Sequence, residues 1–373
     1  MVKNLLISTE DELSRVVDRA TRAGHIAIDT EFVWESTYYP RLGIIQLALS
    51  EADCHIVDTL ALRELALLGR VLSDPSVAKI LHDAQQDLTI LHRVTGSTPR
   101  NVFDIQQVAG LAGLSATLCL EDLLRETVGA TLVPSATRTN WLQRPLSDRQ
   151  TAYALDDVRY LPAAREKLLA RVRDRGREAW MAEELALYDD PGLYAERDPR
   201  RQFERVKGRA KLPSRQLAVL RELAAWREDE ARQRDLPRGH VVPDQVLLDL
   251  AARARHGALD LGTLRGRFDP GKYEVAIVAA IEKGLAAKEH ERPRVAPRTA
   301  RDVAFTARVD RALAYLRSKA IEEGVDAQLV ASRAELSALM ADGISASAEA
   351  HRLLRGWRRE FIGDEVLSLC RRS

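Results

Sequence analysis

From the N-terminus to about residue 110, short apolar runs rich in β-branched residues alternate with stretches of helical periodicity. HIAIDTEF, GIIQLAL and CHIVD read as successive strands, and VAKILHD as a further one. So little chain separates the first three that an antiparallel meander is expected. Apolar residues recur at helical spacing over Glu10 to Ala23, Leu60 to Leu72, Ala84 to His92, Ile105 to Leu111 and Leu118 to Thr127, which predicts helices around that sheet. A turn region rich in Pro, Ser and Thr, from Val133 to Pro145, precedes a long helical pattern that starts near Ser147. The expected fold class of this half is α/β, a mixed sheet flanked by helices.

Beyond Arg197 strand signals almost vanish and amphipathic helices take over, with LAVLRELAAWREDEARQR the plainest. Prolines among arginines in ERPRVAPRTAR, Glu291 to Arg301, split this half into two helical units. Val241 with Val330, Leu247 with Leu336 and Leu250 with Leu339 fall at one constant offset, as in diverged repeats.

A length of 373 residues suits two or three domains. The 46% hydrophobic and 30% charged fractions are those of a globular protein, and no apolar run approaches the length of a membrane helix. The first residues, MVKNLLISTEDELSRVV, lack the features of a secretory signal, so a cytoplasmic location is expected. Cys54, Cys119 and Cys370 are odd in number and in no CxxC pair, which points to neither a disulfide framework nor a cysteine zinc site. A net charge of +1 says little, but Arg197 to Arg215 sets many Lys and Arg against only Asp198 and Glu204. Such a run would attract phosphate, or serve as a solvated linker. Arg227, Arg232 and Arg234 could also meet phosphates, whereas Glu228, Asp229 and Glu230 beside them suggest a solvated face.

Asp29 and Glu31 lie two apart in a predicted strand, so both carboxylates face one side. Adjacent acids on an apolar core element are costly unless they bind something. Asp87 falls on the first turns of the helix after VAKILHD, and Tyr153 and Asp157 lie four apart on one helix face. Four carboxylates and a phenol can thus converge from three elements. Hard oxygen ligands suit Mg²⁺ or Mn²⁺, and two such ions can hold the attacking and leaving oxygens of a phosphodiester displacement.

DTEFVWESTYYPRLGIIQLA at 29–48, HDAQQDLTIL at 82–91, RTNWLQRPLSDRQTAYALDDVRYL at 138–161 and KLPSRQLAVLRELAAWREDEARQRDLPRGHVVPD at 211–244 resemble, in that order, the ribonuclease D family. That family belongs to the DEDD exonucleases, in the branch with a tyrosine in the last motif, DEDDy. The resemblance implies a ribonuclease H-like exonuclease domain over 1–195, a basic linker over 196–210, an all-α HRDC bundle over 211–290 and a second, degenerate HRDC-like bundle over 302–373. It also implies a two-metal attack by water on the 3′-terminal phosphodiester, releasing nucleoside 5′-monophosphates. Asp29 would bridge both ions, Glu31 and Asp157 would bind the ion nearer the nucleophile, and Asp87 would act through the hydration shell of the other. Tyr153 would orient the attacking water. RNA with a 3′ end, transfer RNA precursors above all, is the implied partner, with no organic cofactor; the sequence has no exposed heptad or long apolar stripe that needs a second chain, so a monomer is expected.

Among neighbouring residues, Asp83 and Asp156 read as caps or surface charges and Asp104 as a helix N-cap. His82 is a candidate substrate contact or a structural histidine at a strand end. Arg138 and Trp141 precede the third motif, where the family often uses side chains around the terminal nucleotides; Trp141 suits core packing equally well. Family members often carry a lysine where this chain has Pro134, and acidic or polar residues where it has Val133 and Ala136. That difference bears on how the RNA terminus is held. A 3′→5′ DNA exonuclease and a non-catalytic RNA-binding scaffold are the alternatives.

Overall fold

The computed structural model describes residues 6–62, 64–132, 139–254, 270–294 and 303–371. Two compact units emerge: Met1–Phe32 with Leu42–Tyr194 and Ala300–Ser373, and Val33–Arg41 with Ala195–Thr299.

The first unit is built on a six-stranded sheet of strands β1 (Leu6–Ile7), β2 (His25–Val33), β3 (Arg41–Ser50), β4 (Asp53–Asp58), β5 (Ala78–Leu81) and β6 (Val102–Asp104), in the order β1-β4-β3-β2-β5-β6. The β3–β4 pair is antiparallel, with Ile45 opposite Val57. β5 runs parallel to β2, with Ala27 opposite Ile80, and β6 parallel to β5. The sheet is therefore mixed, and β2 lies in its interior. Helices α1 (Glu10–Ala23), α2 (Ala66–Ser73), α3 (Gln85–Thr95), α4 (Ile105–Leu111), α5 (Leu120–Val128), α6 (Asp148–Arg159), α7 (Leu161–Asp174) and α8 (Glu178–Leu185) belong to this unit. Strand alternation sends Ile26 and Ile28 of β2 into a core with Val16, Val17 and Ala20 of α1 and Leu68 and Leu72 of α2. Burying each such isoleucine contributes about 1.5–3 kcal/mol. The opposite face of β2 carries Ala27, Asp29 and Glu31.

Thr9 and Glu12 cap α1 reciprocally, and Gly24, at φ +71°, ends it in the left-handed region that glycine adopts without strain. Where a helix was expected over Leu60 to Leu72, among the described residues only Ala66–Ser73 is helical. Asp58 accepts the Leu60 amide at 3.0 Å, which holds the chain in a turn first.

In the second unit, α9 (Ser214–Gln233), α10 (Arg238–Val241), α11 (Asp244–Arg253) and α12 (Glu274–Leu285) enclose Val219, Leu223, Leu247, Leu250, Ile277 and Ile281. α9 and α12 approach so closely that a Cβ on Gly284 would lie 2.4 Å from Val219 Cα. Residues 33–41 belong to this bundle through Tyr38, whose hydroxyl donates to Glu228 and accepts from Arg232 Nε at 3.1 Å and Arg238 Nη2 at 3.0 Å. Of the residues on α9 and at its C-cap for which phosphate contact or a solvated face was expected, Arg227 and Glu228 are buried, whereas Asp229 and Arg234 are exposed. Arg227 is buried and paired with Asp244 at 2.7 Å, Glu228 is buried under Arg238, and Arg232 and Arg234 are engaged by Glu196 and Glu230. Internal pairing leaves these side chains committed to the bundle.

The C-terminal residues return to the first unit as α13 (Val303–Glu323), α14 (Ala327–Val330), α15 (Arg333–Asp342), α16 (Gly356–Arg358) and α17 (Asp364–Arg371). The seam with α8 is polar and buried: Glu184 accepts from Trp357 Nε1 at 2.8 Å and from Arg358 Nη2 at 2.7 Å. Trp180 stacks on Trp357 with centroids 4.8 Å apart. Among the described residues no helix is long and apolar enough to cross a membrane.

Candidate active site

Asp29 and Glu31 project from one face of β2, and Asp157 arrives from α6. Carboxylate oxygens of the three lie within 4.8 Å of one another. α6 is held in register by a capping box in which the Ser147 side chain accepts from the Gln150 amide and the Gln150 side chain accepts from the Ser147 amide. One turn before Asp157 on the same helix, the Tyr153 hydroxyl donates to the Asp157 carboxylate. Asp87 sits buried in the first turn of α3. It accepts a hydrogen bond from Thr30, which β2 directs to the face opposite Asp29 and Glu31.

The acids repel one another in a water-poor setting. Burial, then the charges of Asp157 and Asp87, pushes Glu31 up to about 8. Burial raises Asp157 to about 7 despite the Tyr153 hydrogen bond, and raises Asp87 to about 6 despite that of Thr30. Asp29 is driven well above the carboxylate range by burial and by the charges of Asp87, Asp157 and Glu31. Burial together with the three acids around it also raises the Tyr153 phenol, so at neutral pH it keeps its proton. A cluster whose members resist ionisation individually is stabilised by cations, and an all-carboxylate donor set without His or Cys fits hard divalent ions such as Mg²⁺ or Mn²⁺.

Of the other expected contacts, His82 bonds through Nε2 to the Leu118 carbonyl at 3.0 Å. Trp141 is 1% exposed, its ring 6.0 Å from that of Tyr153. Arg138, Val133, Pro134 and Ala136 lie outside the described residues. Asp104 does cap α4, accepting the Gln106 amide at 2.9 Å, and it also receives the Ala84 amide ahead of α3 at 3.0 Å. Asp156 turns to Arg159 at 3.3 Å. Thr30 was legible only as the middle residue of the DTE triplet, because a period of two placed it on the wrong face for the site; its role toward Asp87 emerges only from the packing of α3 on β2.

A mixed sheet that gathers carboxylates from a central strand and two helices is the architecture of a 3′-5′ exonuclease, and the family model of that description matches residues 5–173, with an HRDC domain model matching 216–269. Ribonuclease D of Desulfotalea psychrophila is 37% identical over 98% of both chains, and that of Gluconacetobacter diazotrophicus is 36% identical over 98% of this chain and 92% of its own. The crystal structure of Escherichia coli RNase D, described as an exoribonuclease involved in structured RNA processing, matches with TM-score 0.86 and 28% identity over 99% of both chains. The chain belongs to the ribonuclease D family. It is a nuclease with a 3′-5′ exonuclease domain.

Proposed function

We propose that the chain is a metal-dependent 3′→5′ exoribonuclease that hydrolyses the terminal phosphodiester of RNA and releases nucleoside 5′-monophosphates, trimming transfer RNA precursors and other structured RNAs. The observation that carries this reading is the meeting of Asp29, Glu31 and Asp157 oxygens within 4.8 Å, beside Tyr153 and Asp87. Asp29, Glu31 and Asp157, with Asp87, would hold two divalent ions, Mg²⁺ or Mn²⁺. When bound, such ions neutralise charge on the attacked phosphodiester and ease deprotonation of the attacking water.

The chain's own residues supply the rest. Tyr153, kept protonated, serves as a hydrogen-bond donor that orients water rather than as a base. Asp157 both fixes that phenol and contributes a carboxylate, so one helix turn couples water orientation to cation binding. Thr30 holds the Asp87 carboxyl at a set orientation.

The wider assignments belong to the same proposal: an exonuclease domain over 1–195, a basic linker over 196–210, HRDC over 211–290 and a degenerate HRDC-like bundle over 302–373. The boundary between the compact units at Tyr194, the 3′-5′ exonuclease match to 5–173 and the HRDC match to 216–269 support the first three parts of that division. His82 and Arg138 are proposed to lie around the RNA terminus, whereas Trp141, expected either there or in the core, is buried and packs beside Tyr153. We place the protein in the cytoplasm as a monomer, consistent with the free Cys54 and Cys119. The DNA exonuclease and the inert scaffold are less favoured, because relatives matched over the full length are ribonucleases D and all five site positions hold competent side chains.

The test is shortening of 5′-labelled, 3′-tailed RNA and its DNA counterpart with Mg²⁺, Mn²⁺ or EDTA, for wild type and Asp29→Asn. RNA shortened only with metal, with DNA cut slowly and the variant down by about 10³-fold, supports the proposal. Equal action on DNA would promote the first alternative, and tight binding without shortening the second.

A further inference from the structure

Arg144 lies outside the acidic cluster, yet all five of its N–H donors are committed to one purpose. Nε and Nη2 grip the two oxygens of Asp58, each at 2.8 Å. The second Nη2 proton reaches the Gly43 carbonyl at 2.7 Å, and Nη1 reaches the carbonyls of Trp141 at 2.9 Å and Gln143 at 2.8 Å. A guanidinium with every donor satisfied has a single orientation, and a lysine, with one point charge, cannot span the same acceptors. Asp58 is itself 6% exposed and tied to the Leu60 amide, so the anchor end is rigid.

What this fork holds is the backbone of Trp141 pressed on β3. A Cβ at Gly43 would sit 2.5 Å from the Trp141 carbonyl oxygen, so only glycine admits this approach. The Trp141 indole is buried, its N–H has no partner among the described residues, and its ring lies 6.0 Å from that of Tyr153 at 34°. The ring pair is thus the contact that the Trp141 backbone position sets.

We propose that Arg144 is a positioning residue for the exonuclease reaction: by clamping the Trp141 backbone onto Gly43 it makes the indole a fixed wall that sets the ring of Tyr153 beside the carboxylates. This inference rests on Tyr153 orienting the attacking water. It assigns the Arg144–Asp58 pair a part in turnover and none in RNA affinity.

The test is a double-mutant cycle of Arg144→Lys and Tyr153→Phe, read as kcat and KM on labelled RNA, with thermal unfolding of each variant. A misplacement of about 1 Å can cost about 100-fold, so Arg144→Lys alone is expected to lower kcat by about 10- to 100-fold with KM within about threefold. In the Tyr153→Phe background the same change should cost less than about threefold, since its target is already gone. As a readout independent of turnover, the ¹⁹F resonance of 3-fluorotyrosine at position 153 should shift in Arg144→Lys, because the ring current of Trp141 acts on it. Should Arg144→Lys fail to fold, Asp58→Asn, which loosens the same fork while leaving the Trp141 ring in place, carries the same cycle and ¹⁹F readout. Equal losses in both backgrounds, or an unmoved ¹⁹F signal, would overturn the clamp. A Tyr153→Phe enzyme with full kcat would instead overturn the reading of Tyr153, which separates the two failures.

Discussion

At the residue scale, the acids of the site are held protonated by the fold to pH values at which an unfolded chain has ionised them. Glu31 titrates at about 8 and Asp157 at about 7, against about 4 in an unfolded chain. Between those limits unfolding releases protons, so metal-free stability is greatest below about pH 4 for these groups and is lost as pH rises through 7 and 8. Tm in EDTA should fall over that range, and saturating Mg²⁺ should restore it most at the alkaline end, by about 2.7 kcal/mol at a hundredfold excess over Kd. In Asp29→Asn the EDTA Tm at pH 8 should rise and the Mg²⁺ response should vanish. A Mg²⁺ response that is flat with pH would count against a carboxylate cation site. Most of this site was legible from spacing: alternation joined Asp29 to Glu31, and helical period joined Tyr153 to Asp157. Thr30 and Arg144 were not, because each acts on a residue dozens of positions away that only the packed sheet brings near.

At the scale of elements, β2, β3, β4 and β5 fall where runs of β-branched residues predict them, and α1 and α4 match their expected bounds. β1 and β6 escaped notice because two or three residues are too few to show alternation. Arg227 and Glu228 of α9 show the opposite failure: residues of a charged stretch that could have met phosphate or solvent are buried in ion pairs with Asp244 and Arg238, while Asp229 and Arg234 stay exposed. The basic run before α9 behaves differently. Arg200 and Arg201 are neutralised by Glu222 and Glu204, whereas Arg205, Lys207 and Lys211 are exposed, on turns anchored in the core by Phe203 and Val206. If this segment grips RNA phosphates, replacing Lys207, Arg209 and Lys211 together by Ala should reduce the slope of log Kobs against log salt by about 2 for a single strand. Filter binding of the Asp29→Asn protein to tailed RNA reads that slope, and an unchanged slope would assign the run to a plain linker.

At the scale of the molecule, strand β2 leads from Asp29 and Glu31 directly into residues 33–41, which belong to the helical unit through Tyr38. The C-terminal helices likewise return to the exonuclease unit through Glu184 and Arg358, whose side chains are only 7% and 5% exposed. Removing one partner of so buried a pair strands the other charge, so Glu184→Gln should cost about 3–5 kcal/mol in urea unfolding. A loss below about 1 kcal/mol would mean the seam is held by the Trp180–Trp357 stack instead.

In the proposed reaction water attacks the last phosphodiester at the carboxylate cluster. Digestion of 3′-tailed RNA in H₂¹⁸O with Mg²⁺, followed by mass spectrometry of the released nucleotide, tests that most directly. Nucleoside 5′-monophosphates carrying a single ¹⁸O on phosphate, absent with EDTA and with Asp29→Asn, are predicted. Release of 3′-phosphates or cyclic phosphates, or of unlabelled product, would contradict it.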